Sequence, residues 1–173
     1  MFTNRARILV IGAFIIAMAV AINYKVYEIA AAIGMFILML IWGYFKDGTV
    51  VMAAKVFHNK DYDKAESLLL QISNPNWLSK RRRGFYEFMY GGICLQKQDY
   101  NEAERHYEIA AQYPLRSAND HVAALVHVAN ISIRRNDIDK AKAYLGLADK
   151  HKEKITAKMK DVIDRLHQEL DKK

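Results

Sequence analysis

The chain has 173 residues, 52% of them hydrophobic, with a single cysteine and a formal net charge of +7. That length suits one compact domain plus a small appendage. One cysteine, Cys94, excludes an intrachain disulfide and a cysteine-built zinc site, and fits a reducing compartment. The charge divides as +3 over residues 1–46 (four Lys/Arg against Glu28) and +4 over 47–173 (22 against 18). The second part is too mildly basic to point to nucleic acid.

The apolar excess lies before residue 46. Ile8 to Ile22 runs fifteen residues without a charge, and Ile29 to Phe45 runs seventeen. At about 1.5 Å per residue these would span roughly 22 and 26 Å, against a hydrocarbon core of about 30 Å. Flanking Arg5, Arg7 and Lys46 would then snorkel, or the bilayer would thin. Asn23 to Glu28 forms a short connector, Trp42 and Tyr44 would supply an aromatic belt, and Ala13, Ala17, Ala21, Ala30 and Gly34 would allow close helix packing.

The expectation is a transmembrane helical hairpin over 1–46, with spans at about 8–22 and 29–45. Two other readings compete with it. Helices buried in a soluble core would need polar faces that neither stretch has. A signal peptide would use Arg5 and Arg7 as its charged region and Ala19-Val-Ala21 as its cleavage site. The positive-inside rule puts residues after Lys46 in the cytoplasm, and the compact two-span plan suggests a bacterial inner membrane.

Residues 47–173 carry one phrase three times: Asn59-Lys-Asp-Tyr-Asp-Lys-Ala65, Lys97-Gln-Asp-Tyr-Asn-Glu-Ala103 and Arg135-Asn-Asp-Ile-Asp-Lys-Ala141. Tyr62, Tyr100 and Ile138 stand at equal spacing. Each phrase follows a helical segment, and each Asp (61, 99, 137) is placed to cap the helix after it. Asn74-Pro75-Asn76 and Tyr113-Pro114 punctuate the links between units. Ser117 to Asp120 has the form of a capping box. The units are about 47–76, 79–114 and 117–151. A single helix pair cannot bury its apolar face, so the pairs must stack. Lys154 to Leu170 is amphipathic over 154–170. It reads as the helix covering the last repeat, with a membrane-surface or partner helix as the alternative.

This pattern resembles the tetratricopeptide repeat (TPR) over residues 47 to about 151. The small position of the first helix is Ala53, Gly91 and Ala129. The second helices carry Tyr62/Ala65/Leu69/Ile72, Tyr100/Ala103/Tyr107/Ala110 and Ile138/Ala141/Leu145/Ala148. The period departs from the family's usual 34 residues. The resemblance implies an all-α solenoid of three helix pairs with a capping helix, a protein–protein interaction module, and a groove lined by the first helix of each unit. The partner-binding residues it selects are Phe57, Phe85, Phe88, Gly92, Gln96, Asn130 and Arg134. Phe85 and Phe88 could instead fill core space. The family's clamp on a peptide's terminal carboxylate is not expected, because Val50 and Ala54 stand where polar groups would be needed.

Lys80-Arg81-Arg82-Arg83 is the one dense charge run. It could meet anionic lipid, nucleic acid or an acidic partner, or stay solvated. No enzyme signature is present: there is no Gly-rich phosphate loop, and the histidine spacing suits no metal site. No catalysis, metal or cofactor is expected. The function expected is a membrane-anchored adaptor or scaffold that binds a peptide or helix of an unidentified protein. The alternative is a structural subunit joined to a membrane complex through its spans.

Overall fold

The structure is a computed structural model that describes the backbone of residues 4–172 and the side chains of 10–39 and 48–172. Its α-helices are α1 (Asn4–Asn23), α2 (Tyr27–His58), α3 (Tyr62–Leu70), α4 (Lys80–Gln96), α5 (Tyr100–Ala111), α6 (Ala118–Arg134), α7 (Ile138–Asp149) and α8 (Ala157–Leu170). One-turn 3-10 helices lie at Pro75–Trp77 and Lys152–Lys154. The chain divides into two compact units, Met1–Gly48 and Thr49–Lys173.

In the larger unit, the turn joining the two helices of a pair is built the same way three times. Lys60, Gln98 and Asn136 adopt φ of 63°, 64° and 62°. The next N–H groups, on Asp61, Asp99 and Asp137, reach back to the carbonyls of Val56, Cys94 and Ser132. These bonds close the preceding helix in the manner of a Schellman motif, whose left-handed position usually holds glycine. Each Asp then caps the following helix by accepting from the N–H of Lys64, Glu102 or Lys140 at 3.3, 3.2 and 3.2 Å. Left-handed backbone strains a residue with a Cβ. Gln98→Gly and Lys60→Gly should therefore each stabilise the fold by about 1 kcal/mol. Asn136→Gly should gain less, because asparagine tolerates that region. Thermal or urea unfolding of the three variants checks the ranking.

The helices pack by pairing a small residue with a large one. Ala53 and Leu69 share one buried cluster, and Ala129 and Leu145 share another; all four are fully buried. Between them the pair is Gly91 and Tyr107: a Cβ on Gly91 would sit 3.0 Å from three atoms of the Tyr107 ring. The larger ring is accepted because its opposite residue has no side chain. Ion pairs repeat in register too: Glu66 meets Lys97 at 2.6 Å, and Glu104 meets Arg135 at 2.7 Å.

Helix α8 closes the array. Ile163, Leu166 and Leu170 join a cluster containing Val122, Val126 and Ile133 of α6 and Leu145 of α7. Its start is held by the Thr156 N–H donating to Asn119 Oδ1 at 2.9 Å, and its end by His167 against Asp149 at 2.9 Å. Its apolar face is spent on α6 and α7 rather than on a membrane surface.

In the smaller unit, α1 and α2 are joined by a tight turn in which Lys25 has φ 56° and the Val26 N–H donates to the Ala21 carbonyl. The rings of Phe14 and Phe36 stack with centroids 6.4 Å apart. Large apolar side chains remain outside, with Ile16, Met35, Leu38 and Met39 between 67% and 74% exposed.

The expectation of membrane spans is overturned. Among the described residues no helix is long and apolar enough to cross a membrane. The helices themselves are long, with 20 and 32 residues; what falls short is the charge-free run inside each, which at about 1.5 Å per residue does not reach across a hydrocarbon core of about 30 Å. The side chains of Arg5, Arg7, Trp42, Tyr44 and Lys46, invoked to orient and anchor spans, lie outside the described residues. The two-span topology, the bacterial inner-membrane localisation with a cytoplasmic repeat domain, and assembly through transmembrane spans all fall with the spans. With the spans goes the argument that placed a leaflet beside the basic run.

Candidate functional site

The first helices of the pairs are the C-terminal part of α2, α4 and α6. On α4, Phe88, Gly92 and Gln96 follow at intervals of four and so share a face, as do Asn130 and Arg134 on α6. Phe85 lies one turn before Phe88, and their rings stack with centroids 6.2 Å apart and planes 5° from parallel. Both are half-buried, Asn130 is half-buried, and Gln96 and Arg134 are exposed. Among the described residues Arg134 forms no ion pair, so its charge is free to meet an acid.

Two of the selected residues are brought against each other instead of lining open space. Atoms of the Phe57 ring lie 2.6 and 2.9 Å from where a Cβ on Gly92 would project. The same ring meets Tyr62 edge-on at 5.4 Å. Gly92 is a seat for Phe57, and the pair ties α2 to α4. Phe88 also reaches inward. Its ring meets Tyr107 at 5.5 Å and His127 at 6.3 Å, and His127 stacks on Tyr107 at 4.5 Å.

Burial within that aromatic stack pushes the His127 imidazole down to about 4. The neutral ring is the folded form. An unfolded chain takes up this proton near the ordinary histidine value of about 6.5. The stabilisation is complete above that value and is lost as pH falls toward the folded one. The loss should reach about 3 kcal/mol. Urea titrations at about pH 7 and about pH 4.5 measure it, and His127→Phe should flatten the dependence.

The basic run does not act as one patch. Lys80 and Arg81 are exposed, but Arg83 turns inward. Its Nη2 meets Glu87 Oε1 at 2.7 Å and its Nη1 donates to Asn76 Oδ1 at 2.9 Å. Glu87 is 2% exposed and also receives His106 Nδ1 at 2.5 Å. Arg83 and Glu87 stand at an i, i+4 spacing that was legible, but their burial was not. A second network surrounds Glu104, which accepts from Ser132 at 3.0 Å and meets Lys140 at 2.8 Å. Burial would raise the Glu104 carboxyl, yet the hydrogen bonds from Lys140 and Ser132 and the nearby cations outweigh it and lower it. Among the described residues no group of three or more His, Cys, Asp or Glu side chains could hold a metal ion.

Neither a curated protein nor a solved structure matches the chain. A family model described as the SusR N-terminal TPR domain matches residues 37–162, more than two thirds of the sequence. With its stacked helix pairs and their repeated turns, the chain belongs to the SusR N-terminal TPR domain family.

Proposed function

We propose that this TPR domain binds a peptide or helix of another protein along the first-helix face of α4 and α6. Protein–protein interaction is the general role of the repeat, and the finer reading rests on one observation. The half-buried, stacked Phe85–Phe88 pair shares the first-helix surface with Asn130 and an unpaired, exposed Arg134. An apolar side chain of the partner would cover the aromatic pair, Asn130 and Gln96 would hydrogen-bond its backbone, and Arg134 would meet an acidic group.

Phe88 also packs on Tyr107, so its truncation would confuse binding with stability. The test therefore uses the exposed positions. Arg134→Glu and Gln96→Glu should leave the unfolding midpoint within about 0.5 kcal/mol of wild type while abolishing co-purification of the partner. Partner retention at wild-type level in the double variant would remove this face from consideration.

A further inference from the structure

Corresponding residues differ where α4 and α5 follow the first unit (the first junction) and where α6 and α7 follow the second (the second junction). Helices α4 and α6 begin and end at corresponding positions, as do α5 and α7. In that register Arg83, Glu87 and His106 correspond to His121, Leu125 and Tyr144. At the first junction the three are bridged by the ion pairs around buried Glu87. At the second, a shorter imidazole, an uncharged leucine and a tyrosine cannot form that bridge, and a cleft of about 250 Å³ lies between α5, α6 and α7. This is below the roughly 300–1,000 Å³ of drug-sized sites, so it admits a small ligand.

The lining has two chemical ends. Leu125, Ala111, Tyr144 and Leu147 supply apolar surface, and Leu147 is left 43% exposed at the rim. Lys150 and His151 supply nitrogen donors; the His121 imidazole, edge to face with His151 at 5.3 Å, is pushed down by burial and by that neighbour and already hydrogen-bonds the Tyr113 backbone. The one carboxylate on the wall, Glu108, is already engaged by Lys140 at 2.6 Å and by the Tyr144 hydroxyl at 3.4 Å. Among the described residues Lys150 has no ion-pair partner. The cleft therefore offers an apolar floor and an uncompensated cation.

We propose that the cleft between α5, α6 and α7 is a binding site for a small aromatic or branched aliphatic monocarboxylate. The apolar body lies on Leu125 and Tyr144, and the carboxylate is held by Lys150 with His151, beside which His121 is fixed by its own bond to the backbone. The site is separate from the first-helix face and does not depend on the partner docking there.

The test is calorimetry with the full chain and phenylacetate, run beside phenethylamine and a short peptide ending in phenylalanine. Carbon-detected shifts of His121 and His151 report the location. Phenylacetate should bind saturably with a Kd on the order of 1 mM, and phenethylamine at least about tenfold more weakly. Lys150→Glu, an exposed change that leaves the core alone, should weaken phenylacetate by about tenfold or more. Importing the first junction with His121→Arg, Leu125→Glu and Tyr144→His should abolish binding, and thermal melting shows whether that variant folds. Absence of saturable binding by wild type would overturn the proposal, as would unchanged affinity in Lys150→Glu. Binding of the peptide without the free acid would overturn it in favour of a peptide terminus.

Discussion

Tyr107→Ala is expected to destabilise the protein by about 3–5 kcal/mol. The ring is 2% exposed and packs between Gly91, Phe88 and His127. Its removal leaves a cavity that the neighbours on α4 and α6 cannot close. The converse change, Gly91→Ala, pushes a methyl against the ring and should cost about 1–3 kcal/mol. These two effects should not add. The last unit fills the corresponding positions with Ala129 and Leu145, both fully buried. The double variant Gly91→Ala/Tyr107→Leu should therefore recover most of the loss seen for Gly91→Ala alone. Urea unfolding of Gly91→Ala, Tyr107→Leu and the double variant gives the coupling directly. A double variant as unstable as the sum of the singles would show that the units are not interchangeable at this position.

Glu87→Ala is expected to cost about 3–5 kcal/mol for a different reason. It strips a buried carboxylate from Arg83 and His106, whose side chains are 17% and 13% exposed. The loss is mainly that of leaving a largely buried guanidinium without its counter-charge. Replacing the whole network should be far milder. Arg83→His, Glu87→Leu and His106→Tyr together copy the second junction, and a buried ionic cluster exchanged for residues that pack is often close to neutral. The triple variant should lie within about 1–2 kcal/mol of wild type by urea unfolding. A triple variant less stable than Glu87→Ala would mean that the cluster supplies net stabilisation that packing cannot replace.

Much of the fold was legible because its signals are local. The Asp at 61, 99 and 137 caps a helix wherever the rest of the chain lies, and small residues at 53, 91 and 129 mark close contact without reference to the partner helix. What could not be read was tertiary. Arg83 looks like the end of a solvated run until Glu87 and His106 are seen beside it. Gly92 suggests open groove until Phe57 is found occupying the space. Phe88 serves two neighbourhoods at once, stacking on Phe85 and packing on Tyr107. The helical hairpin itself is present as α1 and α2; what was misread was its crossing of a bilayer. Stretches without a charge signal burial from water, but crossing a bilayer also demands length, and neither stretch has it. The cleft beside His121 needed the register of two junctions, a comparison the sequence permits only once it is known which side chains meet.

The most direct test of a partner docking on the first-helix face is site-specific photocrosslinking in cells. A photoreactive residue is placed in turn at Gln96 and Asn130, and at Asp139 and Lys142 on α7. Crosslinks to one protein from Gln96 and Asn130, absent from Asp139 and Lys142 and lost with Arg134→Glu, are the predicted result. Crosslinks to that protein from the α7 positions alone, or equally from all four, would contradict docking on the face formed by α4 and α6.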